Sequence, residues 1–179
     1  MYNNVNEEEL MNTKKTVMSG LMLALGIVIP YIFHITGING SIFLPMHIPI
    51  LLAGFIIGPL YAFILGIITP ILNYFISGMP PFPMVIVMIF ELATFGFVSG
   101  TIYKKSKNII ITLITSIIIG RMVGAIIVLL IGYLFDIKFI PFSTYITGAF
   151  ITGLPGIIIQ FILIPIIVKA LELNNLIDN

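Results

Sequence analysis

A chain of 179 residues in which 8% are charged and 59% hydrophobic, with a net charge of +1, is not an ordinary soluble domain, where about a quarter of residues are charged. Its mean hydropathy of +1.20 points to a bilayer. The absence of cysteine excludes thiolate metal sites, thiol nucleophiles and disulfides, and the near-neutral charge leaves no basic face for nucleic acid.

The first residues, MYNNVNEEELMN, are polar and acidic, unlike the basic-then-apolar start of a secretory leader. Residues 1–13 are expected to form a disordered tail, with Met11 as an alternative start, before a membrane domain over 14–172 and a short tail over 173–179. Spanning helices need about 20 mostly apolar residues. The first such run covers 16–33, after Lys14 and Lys15. The loop HITGINGSIFLPMH follows, broken by Gly37, Gly40 and Pro45. A second run, 47–58, is short enough to be tilted or half-spanning, and Gly58-Pro59 separates it from a third over 60–76. The rigid turn SGMPPFP occupies 77–83. A fourth run, 84–103, ends in the basic loop KKSK. The fifth covers 108–135 and the sixth 145–171.

Six spans place both termini on one side. Lys14, Lys15, Lys104, Lys105, Lys107 and Lys169 fall on that side and only Lys138 on the other. The positive-inside rule makes the shared side cytoplasmic. The fold class is therefore an all-α membrane protein, a compact bundle of six transmembrane helices with cytoplasmic termini.

Two charges lie inside these runs. Glu91 falls about 12 Å along the fourth helix at the helical rise, and Arg121 is near the middle of the fifth. Neither can reach an interface by snorkelling, and intramembrane ionisable residues mark a ligand site, an ion path or a buried pair. Two readings stand. The residues form a mutual ion pair that holds two helices, or they face a polar cavity and grip a solute. An arginine free of Glu91 would favour an anionic compound, a carboxylate or a phosphate. Asn39, His47, Asn73 and Tyr74 fall toward the same outer half and could join them around one small molecule, in a mostly apolar pocket with few polar groups. The two histidines, His34 and His47, fall short of the three ligands of a catalytic zinc site. No metal or other cofactor is called for.

Small-xxx-small pairs allow close helix approach. Gly20 and Ala24 form one in the first run; packing within the bundle and docking of another subunit both fit that spacing. Gly120 and Gly124 flank Arg121 and are expected to pack within the bundle. The chain has no GxxxxGK[ST], GxSxG or HExxH motif, so it does not hydrolyse ATP itself and is not read as an enzyme.

Length, six spans, the Gly20/Ala24 pair after a Lys-Lys entry, the segment LPMHIPILLAGFIIGPLYAFILGIITPILNYFISGMPPFP at 44–83, and FELATFGFVSGTIYKK at 90–105 together resemble the S component of an energy-coupling factor (ECF) transporter. The resemblance covers about 13–171. It implies capture of a water-soluble vitamin or related micronutrient from outside a prokaryotic cell membrane, beneath the loop joining the first two helices. It also implies docking through the first helix, here Gly20-Leu-Met-Leu-Ala24, on a T subunit served by two ATPases. A stand-alone secondary carrier or facilitator is the alternative, and a non-transporting scaffold, in which Glu91 and Arg121 only pair, is a third.

Overall fold

The computed structural model describes residues 2–135 and 140–174, with side chains over 12–134 and 140–174. Lys138 and residues 175–179 of the closing tail lie outside the described residues. All regular structure among the described residues is helical: α1 (Tyr2–Ile35), α2 (Gly40–Phe43), α3 (His47–Ile57), α4 (Pro59–Ser77), α5 (Met84–Ser106), α6 (Ile109–Phe135), α7 (Phe142–Ile146), a π-helical segment (Thr147–Thr152) and α8 (Leu154–Leu173). Six stretches among the described residues are long and apolar enough to cross a membrane, with α2 and α3 counting as one, Gly40–Ile57.

Two expectations change. The N-terminal tail, expected to be disordered, continues α1 back to Tyr2. No glycine or proline interrupts the sequence before Gly20, and Glu, Leu, Met and Lys are good helix formers. The sixth run is not one helix either. A π-helical segment over Thr147–Thr152, with Gly148 inside it and Gly153 capping it, separates α7 from α8, and Pro155 sits in the first turn of α8, where its missing N–H costs nothing.

The short second run has the expected length. At 11 residues, α3 covers only about 16 Å, and only together with α2 is the stretch, Gly40–Ile57, long and apolar enough to cross. Nine residues of α3 are buried, including Ile50, Leu51 and Ala53, as suits a helix apolar on every face. Gly58, at φ 95°, turns the chain from α3 into α4 in a conformation open to glycine.

Helix α5 is the hub, packed against α3, α4 and α6. Lipid tails are as apolar as leucine, so burial of apolar surface does not drive helices together in a bilayer, and close packing has to. Glycines provide it. A Cβ at Gly66 of α4 would fall 2.5 Å from the Ala93 backbone, one at Gly96 of α5 would fall 2.4 Å from the Ala62 carbonyl oxygen, and one at Gly54 of α3 would fall 1.8 Å from Ser99 Oγ. The Ser99 hydroxyl donates to the Gly96 carbonyl at 3.1 Å, so this tight crossing leaves no polar orphan. Toward the lysine-bearing end, the Tyr103 hydroxyl donates to the Glu172 carboxylate, tying α5 to α8.

Helix α1 is attached more lightly. Between residues 12 and 35 only Met22 and Gly26 are buried. Gly26 packs on Thr69 of α4, and the Asn73 amide donates to the Gly26 carbonyl at 2.9 Å.

These contacts predict opposite outcomes for one substitution. Gly66→Ala and Gly96→Ala press a methyl into backbone and should each cost about 1–3 kcal/mol or more. Gly132→Ala, with nothing within 4 Å of its Cβ position, should be neutral or gain about 0.5–1 kcal/mol from helix propensity. Thermal unfolding of the three variants in detergent checks the ranking.

Candidate functional site

A cavity of about 650 Å³ opens between the end of α1, the 36–46 loop with α2, the start of α3, the 77–83 turn, the first half of α5, the middle of α6, and α7 with the π-helical segment. It lies at the end of the bundle opposite Lys104 and Lys105, since α5 enters it with Met84 and carries those lysines in its last turn. Most of the lining is apolar, including Phe33, Leu44, Met84 and Met88. Methionine walls adapt to a guest's shape.

The two intramembrane charges meet here. Arg121 Nη1 donates to Glu91 Oε1 at 2.5 Å, and both side chains are buried. The second oxygen, Glu91 Oε2, accepts from the Tyr145 hydroxyl at 3.1 Å. That hydroxyl also lies 3.4 Å from the Arg121 carbonyl oxygen, so α5, α6 and α7 are joined through one carboxylate. His47 Nε2 stands 3.5 Å from Glu91 Oε1, outside hydrogen-bond geometry. Both His47 ring nitrogens and Arg121 Nε are buried without a hydrogen-bond partner. Phe95 supports the cluster from below. Its ring centre is 5.2 Å from that of His47 and 5.8 Å from the Arg121 guanidinium carbon, within cation–π range.

Sequence around Arg121 makes this arrangement possible. A Cβ at Gly120 would fall 2.3 Å from the Phe95 ring, and one at Gly124 would fall 2.0 Å from the Tyr145 hydroxyl and 3.0 Å from Glu91 Oε2. The two glycines let α6 bring its arginine against α5 with an aromatic ring on either side. They pack inside the bundle, as their flanking of Arg121 suggests.

Of the six candidate solute-binding residues read from the sequence, the structure brings four to the cavity: Asn39, His47, Glu91 and Arg121. Asn39 Oδ1 accepts from the Ser41 backbone N–H at 3.0 Å and so starts α2. Asn73 and Tyr74 do not line the cavity. The Asn73 amide donates to the carbonyls of Gly26 and Thr69, both at 2.9 Å, which makes it a fastener between α1 and α4; Tyr74 packs edge-on to Phe75. Gly20 and Ala24 lie away from the cavity on an exposed face of α1 with Val17, Leu21 and Val28, and nothing lies within 4 Å of a Cβ at Gly20.

Sequence reasoning missed Tyr145 and Phe95. The signal for them is the glycine pair itself, since glycines on both sides of a buried arginine leave room for large neighbours on the facing helices. Tyr145 and Gly124 give a direct check. Tyr145→Phe removes a hydrogen bond to a buried carboxylate and should cost about 1.5–3 kcal/mol. Gly124→Ala should cost a similar amount by displacing the same hydroxyl, and the double variant should lose much less than the sum. Thermal melts of the singles and the double measure this.

Residues 14–168 match the family model described as ECF transporter, substrate-specific component. No curated protein and no solved structure matches the chain.

Proposed function

The chain belongs to the substrate-specific components of ECF transporters, and from that premise we propose that it captures a water-soluble vitamin or related micronutrient in the cavity above Glu91 and Arg121. The observation that carries this reading is the cavity itself: about 650 Å³, within the range of small-molecule sites, mostly apolar, and floored by a few buried polar groups. The lysine asymmetry supports cytoplasmic termini, which turns the cavity toward the outside of a prokaryotic cell membrane.

Delivery follows from docking. The exposed face of α1 around Gly20 and Ala24 would meet a T subunit, where small side chains let helices approach closely. Two separate ATPases would drive the cycle, in keeping with a chain that has no nucleotide-binding motif of its own. The 36–46 loop would gate the cavity. It packs against α8, where a Cβ at Gly156 would fall 2.7 Å from the Phe43 backbone, so opening requires α2 to lift from that seat.

Capture and docking occupy different faces and should separate by mutation. Ala24→Leu should leave the solitary subunit folded, with its stability unchanged within about 0.5 kcal/mol, as for surface positions generally. The same variant should fail to co-purify with co-expressed T and ATPase subunits. Normal co-purification would remove Gly20 and Ala24 from the docking face. Uptake in cells lacking those subunits would favour a stand-alone carrier.

A further inference from the structure

We propose that Gly26, Pro30 and Asn73 form a joint in α1, about which the half of the helix carrying Gly20 and Ala24 pivots while the other half stays on the cavity. The use of that pivot rests on the reading of Gly20 and Ala24 as a docking face; the joint itself rests on geometry.

Pro30 lies inside α1. A proline has no N–H to give the carbonyl four residues back, and its ring crowds that carbonyl. Here the carbonyl is that of Gly26. In a membrane span a freed carbonyl has to be met from elsewhere. Helix α4 meets it: Asn73 Nδ2 donates to the Gly26 carbonyl at 2.9 Å, from a residue only 1% exposed. Gly26 makes the reach possible. A Cβ there would fall 2.8 Å from Thr69 Cγ2, one turn before Asn73.

The two halves of α1 are held differently. On the far side of the joint, Pro30, Phe33 and His34 line the cavity, and Phe33 packs edge-on to Phe43 of α2 at 5.6 Å. Asn73 is anchored to the same end, since its carbonyl accepts from Ser77 Oγ at 2.8 Å and Ser77 is another cavity wall. On the near side, Met22 is the only buried residue between 12 and 25. At the joint a side-chain bond stands in for a backbone bond. An amide on rotatable side-chain torsions can follow a carbonyl that changes angle, and a backbone N–H locked in the helix cannot. Pro70 and Pro165 also lie inside helices. There α4 is clamped where Gly66 meets the Ala93 backbone, and α8 where Ile164 and Val168 are fully buried, so neither is free to swing. Docking would then turn the near half of α1 against a T subunit without pulling Phe33 from Phe43.

The test uses the full chain, whose lack of cysteine suits spin labelling. Val17→Cys with Lys105→Cys reports the near half of α1 against α5; Phe75→Cys with Lys105→Cys reports the α4–α5 core. All three positions are exposed. Pulsed electron paramagnetic resonance should give a wider distance distribution for the first pair than for the second. Pro30→Ala, which returns a backbone donor to the Gly26 carbonyl, should narrow it, and Asn73→Leu should broaden it. Asn73→Leu should also lower the melting temperature less in the Pro30→Ala background than alone, because the two act on one carbonyl. Pro30→Ala should keep the native melting temperature yet reduce co-purification with co-expressed T and ATPase subunits by about fivefold or more, the lower end of typical coupling between sites. Equal widths for the two pairs, no narrowing in Pro30→Ala, or full co-purification of that variant would overturn the proposal. If Asn73→Leu does not fold, the Pro30→Ala widths decide. A native chain that shows the expected widths and fails to co-purify would refute the docking reading and leave the joint standing.

Discussion

A carboxylate and a guanidinium placed within membrane spans are costly unless they pair with each other and with donors and acceptors of the protein. Glu91 and Arg121 meet that constraint by drawing in the elements around them. Arg121 reaches Glu91 because Gly120 lets the Phe95 ring come close against α6, and the second carboxylate oxygen is reached from α7 because Gly124 leaves room for the Tyr145 hydroxyl. The positions of α5, α6 and α7 are thus set by one ion pair, and the cavity is the space left on its open side, with His47 at the margin.

The rest of the bundle is held by a different means. Where lipid offers no hydrophobic gain for association, contact between backbones takes its place, and α3, α4 and α5 meet through Gly54, Gly66, Gly96 and Gly100 with almost no side chain between them. Helix α1 lacks such contacts along most of its length and is fastened chiefly by Gly26 and Asn73. This difference fits a division of labour: a rigid α3–α5 core that keeps the site in shape, and a lightly held helix with one face free for a partner.

Much of this was legible in the sequence. The six spans follow from length and hydropathy, the break at Gly58-Pro59 from its residues, and the importance of Glu91 and Arg121 from the cost of burying charge. Facing was harder to read. Helices that are apolar all round carry little amphipathic signal, so nothing local told Asn73, which fastens α1, from Asn39, which lines the cavity. The division of the sixth run at Gly148 and Gly153 was hidden for a similar reason: glycine is common in membrane helices, and only tertiary context decides which ones interrupt them. Tyr145 and Phe95 could be found only by asking what fills the space beside Gly120 and Gly124.

Pairing and solute binding were set as alternatives for Glu91 and Arg121; the structure shows the pair, and both residues also line the cavity. The most direct measurement is a double-mutant cycle of Glu91→Gln and Arg121→Gln read by thermal stability. Each single replacement strands a buried charge and should cost about 3–5 kcal/mol, with the double variant recovering most of that loss. Additive losses, with no recovery in the double variant, would contradict the ion pair as the element on which the site is built.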